Sequence, residues 1–389
     1  MSKILVVGMS RSSHLQKWLS LLPPKFTEVH FIESTNDPVD KSKLHTFVPI
    51  IYWETRYELL RKYPILQKIV KRLLEILIPS LLDVVRNDIP TLRLLRALMV
   101  NEYEVIHCFE IQHAGYALEN ILDRDQIPLR TKIFVSCWGS DIYWFMNNKI
   151  HNRRISQLLK KTDLLILDTN RDIELSRSLG YAGEIFRINT HAGGIDPSEI
   201  VSSSYIDINN RKSIMIKGHF GFVGRPFFSI DVLMELAHLV NKMDLKLNII
   251  SCPPSIIPMI QDQLENYNVK FKIYKPYELS RFDLIKLYRT SKMCIANSMS
   301  DGIPTTAIES MANGCVPIQS NTSSLIEWGV DPRIVLPPLE GNLWKNTIQH
   351  LLNNEEELKK IAKNNLEITK ANFSVAIIQN QIEQVYELF

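Results

Sequence analysis

The apolar positions of this chain form short continuous runs, and several of them are followed by a stretch with helical spacing. The first run, Lys3–Gly8, precedes a segment in which Leu15, Trp18, Leu19 and Leu22 recur at that spacing. A continuous apolar run is typical of a strand that is buried on both faces, as in a parallel sheet. Similar runs lie at residues 29–32, 104–107, 132–136, 164–167 and 185–188. The alternation predicts a doubly wound α/β domain.

A polar segment at residues 197–213, rich in Ser, Asn and Asp, separates this series from a second one. We interpret it as an interdomain linker. The second series predicts a helix at 229–242 and strands at 219–223, 247–251, 269–273, 293–296 and 316–319. A last helix is predicted to bury an apolar stripe made of Ile378, Ile382, Val385 and Phe389. The predicted divisions of the chain are 1–200, 211–373 and 374–389.

The composition fits a globular protein with more than one domain. The chain has 389 residues, of which 45% are hydrophobic and 22% are charged. The net charge of +3 is too small to indicate a nucleic-acid partner. The five cysteines are odd in number and include no C-x-x-C pair, which predicts reduced thiols rather than disulfides or a zinc site. No signal-peptide pattern and no long apolar stretch is seen, so we expect a cytoplasmic location.

The segment Ser298–Gly314, with the sequence SMSDGIPTTAIESMANG, carries the most informative chemistry. It predicts a loop with Asp301 and Gly302, followed by a short helix at the carboxyl end of a strand, where open α/β sheets bind ligands. The first turn of that helix would offer backbone N–H groups and the positive end of the helix dipole to a diphosphate. One turn further on, Glu309 could accept hydrogen bonds from ribose hydroxyls.

The acid, glycine, proline, acid and glycine of this segment resemble the E-x7-E region of the retaining GT-B glycosyltransferases of family 4. The resemblance implies two Rossmann-like domains that face each other across a cleft, with the nucleotide-sugar donor held mainly by the C-terminal domain. It further implies that Glu309 holds the nucleotide ribose and that Asp301 lies near the donor sugar as a catalytic residue. The loop implied to approach the donor phosphates and sugar is Gly302, Ile303, Pro304, Thr305 and Thr306. An ordinary capped helix is the alternative.

A second resemblance concerns the opening of the C-terminal domain. Phe222–Arg225 is similar to the glycine-arginine strand end of the family, where an arginine can pair with donor phosphates. The family usually adds a lysine five residues later, and this chain has Ile230 there. That departure puts the diphosphate clamp in question unless Lys217 substitutes. For Arg225, a surface or interdomain salt bridge is the alternative.

The N-terminal half resembles the family in its loops. The loop 136–141 is similar to an H-G-S-D motif with Trp138 in the histidine position. We predict that Asp141 is a catalytic residue on the acceptor or sugar side. His113 lies near the place where many relatives have a histidine, and we predict a catalytic role for it. His191 opens a segment similar to an N-G-V-D turn and is predicted to border the cleft. Arg11 follows the first strand and is predicted to meet an anionic acceptor. Core packing of Trp138 and structural histidines are the alternatives.

Residues 56–96 contain nine Lys or Arg and four acids, a net charge of +5. An apolar stripe within them is flanked by Lys68, Lys71 and Arg72. The pattern is typical of a helix that lies on anionic lipid headgroups, so we expect a peripheral contact with the inner face of the plasma membrane. A core-facing helix with a solvated basic rim is the alternative.

The sequence therefore predicts a retaining glycosyltransferase that moves a sugar from a UDP- or GDP-linked donor to a glycan or lipid-linked acceptor. We expect a role in bacterial surface polysaccharide or lipopolysaccharide synthesis. No D-x-D pair stands out for a metal-bound diphosphate, so no metal and no other cofactor is expected. The alternatives are a degenerate GT-B protein that binds nucleotide sugar without turnover, a sugar-nucleotide epimerase and a sugar-binding protein. A dehydrogenase is disfavoured because no G-x-G-x-x-G follows a predicted strand.

Overall fold

The computed structural model describes residues 2–46, 48–53, 89–121, 127–128, 130–202 and 207–388. They form two compact units. One unit consists of Met1–Gly193 together with Gln379–Phe389, and the other is Gly194–Ile378. Within the described ranges, no helix is both long enough and apolar enough to cross a membrane.

The first unit is built on a parallel sheet with the strand order β3-β2-β1-β4-β5-β6-β7. Its strands are β1 Ser2–Gly8, β2 Phe26–Glu33, β3 Ile50–Tyr52, β4 Val105–Phe109, β5 Lys132–Ser136, β6 Leu164–Leu167 and β7 Glu184–Arg187. Its described helices include α1 Ser13–Ser20, α2 Ile89–Val100, α3 Tyr116–Glu119, α4 Lys149–Leu159 and α5 Asn170–Ser178. The residues of β4 and β6 are all buried, as expected for central strands of a covered parallel sheet.

The second unit has its own parallel sheet, with the order β10-β9-β8-β11-β12-β13. Its strands are β8 Ser213–Lys217, β9 Lys246–Ile250, β10 Lys270–Ile273, β11 Ser291–Ala296, β12 Val316–Ser320 and β13 Val335–Leu336. Its helices are α6 Pro226–Met234, α7 Ala237–Lys242, α8 Ile257–Glu265, α9 Arg281–Thr290, α10 Thr305–Ala312, α11 Gly341–Asn353 and α12 Glu355–Asn372. Both units are Rossmann-like α/β domains, and the predicted fold class is confirmed.

The prediction of a strand at 219–223 is wrong. The first strand of the second unit is β8, which ends at Lys217, and the residues after it form a loop with tight glycine positions. A Cβ atom on Gly218 would lie 2.7 Å from the carbonyl oxygen of Ile250, and one on Gly224 would overlap with the carbonyl oxygen of His219. The apolar residues of this loop had resembled a strand. The predicted helix 229–242 is also corrected, because it is divided into α6 and α7.

The last helix, α13 Val375–Glu387, carries the predicted apolar stripe, and Ile378, Ile382 and Val385 are fully buried. Phe389 lies outside the described residues. Near the end of α13, the Tyr386 hydroxyl accepts a hydrogen bond from Trp18 Nε1 at 3.0 Å and lies 2.7 Å from His107 Nδ1. These contacts explain why residues 379–389 belong to the first unit.

Most of the basic segment 56–96 lies outside the described residues, since the structure describes none of 54–88. The part that is described corrects one assignment. Arg93 is fully buried in α2, and it donates hydrogen bonds to the carbonyl oxygens of Glu33, Thr35 and Asp37 at 2.6, 2.7 and 2.8 Å. This arginine therefore fastens the loop after β2 and is not available to a lipid surface.

Candidate functional site

The loops at the carboxyl edge of the second sheet bring the predicted donor residues together. In this sheet β8 pairs with both β9 and β11, so the chain leaves β8 and β11 in opposite directions. Ligands of open α/β sheets bind in the crevice that such a switch point creates. Lys217 ends β8, and Asp301 lies in the loop after β11. Their side chains form an ion pair, with 3.1 Å between Lys217 Nζ and Asp301 Oδ2.

The acid-glycine-proline loop is shaped as the sequence predicts. Asp301 Oδ1 accepts a hydrogen bond from the Gly302 backbone amide at 3.1 Å, and Ile303 is buried beneath the loop. Pro304 has an extended backbone and precedes the first residue of α10, Thr305. Within this first turn, the Thr306 hydroxyl is buried and has no hydrogen-bond partner in the structure. The turn thus places a helix N-terminus close to the Lys217–Asp301 pair, which suits an anionic ligand.

Glu309 is buried in α10, with 6% of its surface exposed, and both of its carboxylate oxygens are engaged. Oε1 accepts from Arg281 Nη1, and Oε2 accepts from the Tyr288 hydroxyl at 3.2 Å. Burial, and secondarily the charge of Glu309, raises the pKa of the Tyr288 hydroxyl well above its usual value, so it stays a donor. Both contacts fix the orientation of this carboxylate.

Arg225 does not stand at a strand end but directly before Pro226, the first residue of α6. Its backbone amide donates to Asn297 O at 3.0 Å, which ties it to the residue that follows β11. Its guanidinium donates to Pro338 O at 3.1 Å and lies over the Phe228 ring. The charge is therefore held close to the end of β11 by backbone and side-chain contacts.

The structure corrects the register on which the missing lysine was inferred. Counted from the true strand end, the cation that ends β8 is Lys217, and the cation that opens the following helix is Arg225. Ile230 lies in the interior of α6, is fully buried and belongs to the apolar core of the second unit. A lysine at that position would point into the core, so its absence says nothing about a diphosphate clamp.

In the first unit, the loops after β4 and β5 meet around two carboxylates. Glu110 has a φ of 75°, and its side chain accepts from the backbone amides of His113 and Ala114 at 2.9 and 2.7 Å. Asp141 accepts from the amides of Trp138 and Ile111 at 3.0 and 3.3 Å. A positive φ outside glycine is uncommon and stores strain, and such residues cluster at functional sites.

The pKa values of Asp141 and His113, two titratable groups of this cluster, are raised for different reasons. Burial raises the pKa of Asp141 to about 8, and the nearby charge of Glu110 adds to the effect. His113 is about half exposed, and its Nδ1 lies 3.1 Å from Glu110 Oε2. That hydrogen bond raises the pKa of His113. The structure therefore brings Asp141 and His113 to one cluster, with a carboxyl group that holds its proton near neutral pH.

Of the remaining predicted residues of the first unit, Trp138 adjoins this cluster through its backbone amide, whereas His191 and Arg11 lie elsewhere. Trp138 is partly buried, its ring centroid is 5.3 Å from that of His14, and its Nε1 has no hydrogen-bond partner in the structure. His191 is buried, stacks on Trp18 at 5.8 Å and lies 3.5 Å from Asp168 Oδ2. Arg11 is exposed just before α1. His191 is thus packed against an aromatic side chain.

The raised pKa of Asp141 predicts a dependence of stability on pH. Because the folded-state pKa lies above the unfolded value near 3.8, the stabilisation is complete below about pH 4 and is lost as the pH rises through about 8. Asp141→Asn stays neutral, so the decline of its free energy of unfolding between pH 4 and 8 should be shallower than that of the wild type by up to about 1.4 kcal/mol per pH unit.

Urea titrations at several pH values would measure this difference, with Asp283→Asn on the exposed surface of α9 as the control. Asp172, whose pKa burial raises to about 6, acts in the same direction but is present in both proteins, so the comparison isolates Asp141. Equal pH slopes for the wild type and Asp141→Asn would contradict the prediction.

Across the described ranges, no group of three or more His, Cys, Asp or Glu side chains is arranged to hold a metal ion. The five cysteines are buried and free.

Comparison with known proteins gives the class of the chain. A family model described as "Glycosyl transferases group 1" matches residues 229–367. Among solved structures, sucrose-phosphate synthase from Thermosynechococcus elongatus has a TM-score of 0.67 at 15% sequence identity. The alignment covers 100% of this chain and 99% of the synthase chain. Anabaena HepE in complex with UDP-glucose has a TM-score of 0.67 at 14% identity, with 100% of both chains covered. An E. coli structure described as trehalose-6-phosphate bound with UDP-2-fluoro glucose has a TM-score of 0.65 at 13% sequence identity. The alignment covers 99% of this chain and 98% of the E. coli chain.

These likenesses establish the GT-B fold, and the matched segment contains the Ser298–Gly314 motif. The protein is a glycosyltransferase of the GT-B type, as the sequence predicted. A search of curated proteins gives no match.

Sequence reasoning missed two residues that contact Glu309. Arg281 and Tyr288 lie on α9, which precedes β11, and no motif marked them. Their spacing of seven residues places both on one face of a helix, and this was the only available signal. The partner of Arg281, Glu199, lies in the segment interpreted as a linker.

Proposed function

We propose that this glycosyltransferase moves a sugar from a UDP-linked donor to a glycan or lipid-linked acceptor and retains the anomeric configuration, as the family 4 resemblance implies. A GDP-linked donor is the alternative for the base. The observation that carries the proposal is the arrangement in the second unit. A buried carboxylate, Glu309, lies one turn into a helix whose N-terminus stands next to the Lys217–Asp301 pair.

The arrangement suits a nucleoside diphosphate sugar from one end to the other. Glu309 would accept hydrogen bonds from the ribose hydroxyls, since a carboxylate oxygen has more than one acceptor site. The N-terminus of α10, Lys217 and Arg225 would face the diphosphate, because anions are stabilised by helix N-termini and by cations. Asp301, which accepts a hydrogen bond from the Gly302 backbone amide, would lie near the transferred sugar.

The chemistry we propose is front-face transfer, in which the acceptor hydroxyl attacks from the side that the nucleotide leaves. The bond between the sugar and the diphosphate breaks as the new glycosidic bond forms, and the departing diphosphate takes the proton of the acceptor. The main task of the protein is then to stabilise the negative charge that develops on the leaving group. We assign this task to Lys217, Arg225 and the backbone amides of Gly302, Ile303, Thr305 and Thr306, without a metal ion.

Two of the solved relatives support the donor class. One is described with UDP-glucose and the other with UDP-2-fluoro glucose. For the acceptor, we propose that Asp141 and His113 act on the sugar side and that Arg11, Trp138 and His191 contribute to acceptor binding. A cytoplasmic location, a membrane contact through 56–96 and a role in surface polysaccharide synthesis remain proposals from the sequence.

The test is a thermal-shift panel of UDP, GDP, ADP and their sugar derivatives on the wild type and on Glu309→Gln. A ligand at one hundred times its dissociation constant stabilises the folded state by about 2.7 kcal/mol. We expect UDP and a UDP-sugar to raise the melting temperature of the wild type, and the increment to fall in Glu309→Gln because the ribose loses its charged acceptor. The ligand-induced increment is compared, not the melting temperature itself, because the substitution also removes one of the two carboxylates that pair with Arg281.

Glu367→Gln is the matched control, since Glu367 is an exposed glutamate on α12 that pairs with Lys370. Its nucleotide increment should equal that of the wild type. If no nucleotide stabilises the wild type at millimolar concentration, the proposal is wrong. If UDP binds but no UDP-sugar is consumed with any acceptor mixture, the degenerate, binding-only alternative is favoured.

A further inference from the structure

Arg281 joins two carboxylates at the base of the proposed ribose site. It is the first residue of α9, whose N-cap Ser280 accepts from the Asp283 amide at 3.1 Å. Its Nε donates to Glu199 Oε1 at 2.7 Å, and its Nη2 donates to Glu199 Oε2, which makes a two-pronged contact. Its remaining terminal nitrogen, Nη1, donates to Glu309 Oε1. The guanidinium plane is therefore held by one carboxylate and presented to the other.

Tyr288 completes the arrangement from the same face of α9. Its hydroxyl is fully buried and donates to the second oxygen of Glu309 at 3.2 Å. Each oxygen of Glu309 thus receives one donor and keeps acceptor capacity for another. A carboxylate buried without a cation close by is strongly disfavoured, so the orientation of Glu309 at this buried position depends on its contact with Arg281. Burial by itself lowers the pKa of Arg281, but the bonds to Glu199 and the charge of Glu309 outweigh it, and the guanidinium stays charged.

We propose that Arg281 is a positioning residue for the nucleotide ribose: it holds Glu309 as a rigid acceptor and thereby sets the preference for ribonucleotides over deoxyribonucleotides. The inference rests on the proposed function, in which Glu309 receives the ribose hydroxyls. Glu199 acts one step further away, because it holds the guanidinium that holds Glu309. A site built to hydrogen-bond a hydroxyl group discriminates strongly against a ligand that lacks it, provided that its polar groups cannot relax.

The experiment compares the dissociation constants of UDP and 2′-deoxy-UDP by titration calorimetry. A hydrogen bond to a charged group contributes about 1.5–3 kcal/mol, so we expect the wild type to prefer UDP by roughly 10–100-fold. In Arg281→Met, the preference should fall to about 3-fold or less, mainly through weaker binding of UDP. Arg281→Lys keeps the charge but not the two-pronged geometry and should restore part of the preference.

Arg333→Met is the control, because Arg333 also bridges two carboxylates, Asp331 and Glu357, but on an exposed surface. Arg333→Met should have the same ratio of UDP to 2′-deoxy-UDP dissociation constants as the wild type. A merely structural role of Arg281 would weaken both ligands equally and leave the ratio unchanged, and that result would overturn the inference. If Arg281→Met does not fold, Glu199→Gln gives the second test, since it leaves Glu309 intact. The ratio of the two dissociation constants in Glu199→Gln should lie between the wild-type ratio and 1. A ratio equal to that of the wild type would overturn the inference.

The two proposals fail in different ways. If wild-type protein binds both nucleotides equally, the ribose role of Glu309 is wrong and the role of Arg281 falls with it. If the wild type prefers UDP and Arg281→Met keeps that preference, only the inference about Arg281 is wrong.

Discussion

Replacement of Lys217 by alanine is expected to lower kcat/KM by about 100- to 1000-fold, mostly through kcat, because this lysine is proposed to stabilise the leaving diphosphate. The side chain ends the central strand β8, is only 11% exposed and lies 3.1 Å from Asp301. Charge that develops in the transition state is stabilised more strongly at such a water-poor position than on the surface. A loss that appears in kcat marks an interaction made in the transition state.

Steady-state kinetics with the UDP-sugar identified by the binding panel would measure this effect. Lys270→Ala is the matched control, since Lys270 also forms an ion pair with an aspartate, Asp244, but both side chains are 68% exposed. Exposed pairs of this kind contribute little, so kcat should stay near that of the wild type. Lys217→Arg should recover part of the activity. Equal rates for Lys217→Ala and Lys270→Ala would exclude the proposed role.

Ile230→Lys is expected to unfold or strongly destabilise the protein, although the family resemblance alone would predict a restored diphosphate clamp. Ile230 is fully buried in the core of the second unit, and an ammonium group without a partner there costs several kcal/mol. A loss of about 4 kcal/mol in a unit of this size lowers the melting temperature by roughly 10 °C. Thermal denaturation followed by circular dichroism would show it.

Two variants separate the core explanation from the clamp explanation. Ile230→Val removes one methylene group and should destabilise by only about 1 kcal/mol. Arg225→Lys keeps a cation at the start of α6 and should retain most of the activity. A well-folded and more active Ile230→Lys would show that the register derived from the structure is wrong.

The sequence by itself determined the class of fold. Continuous apolar runs such as Leu164–Leu167 predict strands, because strands of a covered parallel sheet are buried on both faces. The structure confirms this strand. The helix Thr305–Ala312 was also readable, since Pro304 and Gly314 mark its ends through local backbone preferences. The short strands β3 and β13 were missed, because two or three residues are too few to show a period.

The tertiary structure decided which charges meet. The apolar loop after β8 had the pattern of a strand, and only the pairing of β8 with its neighbours shows that the strand ends at Lys217. With the strand end at Lys217, Ile230 is a core residue and no longer the position of an absent lysine. The same strand end pairs Lys217 with Asp301, 84 positions further along the chain. Arg281 likewise meets Glu309 across 28 positions. Local patterns record burial and backbone preference along the chain, whereas ion pairs of this kind depend on distances that only the folded sheet creates.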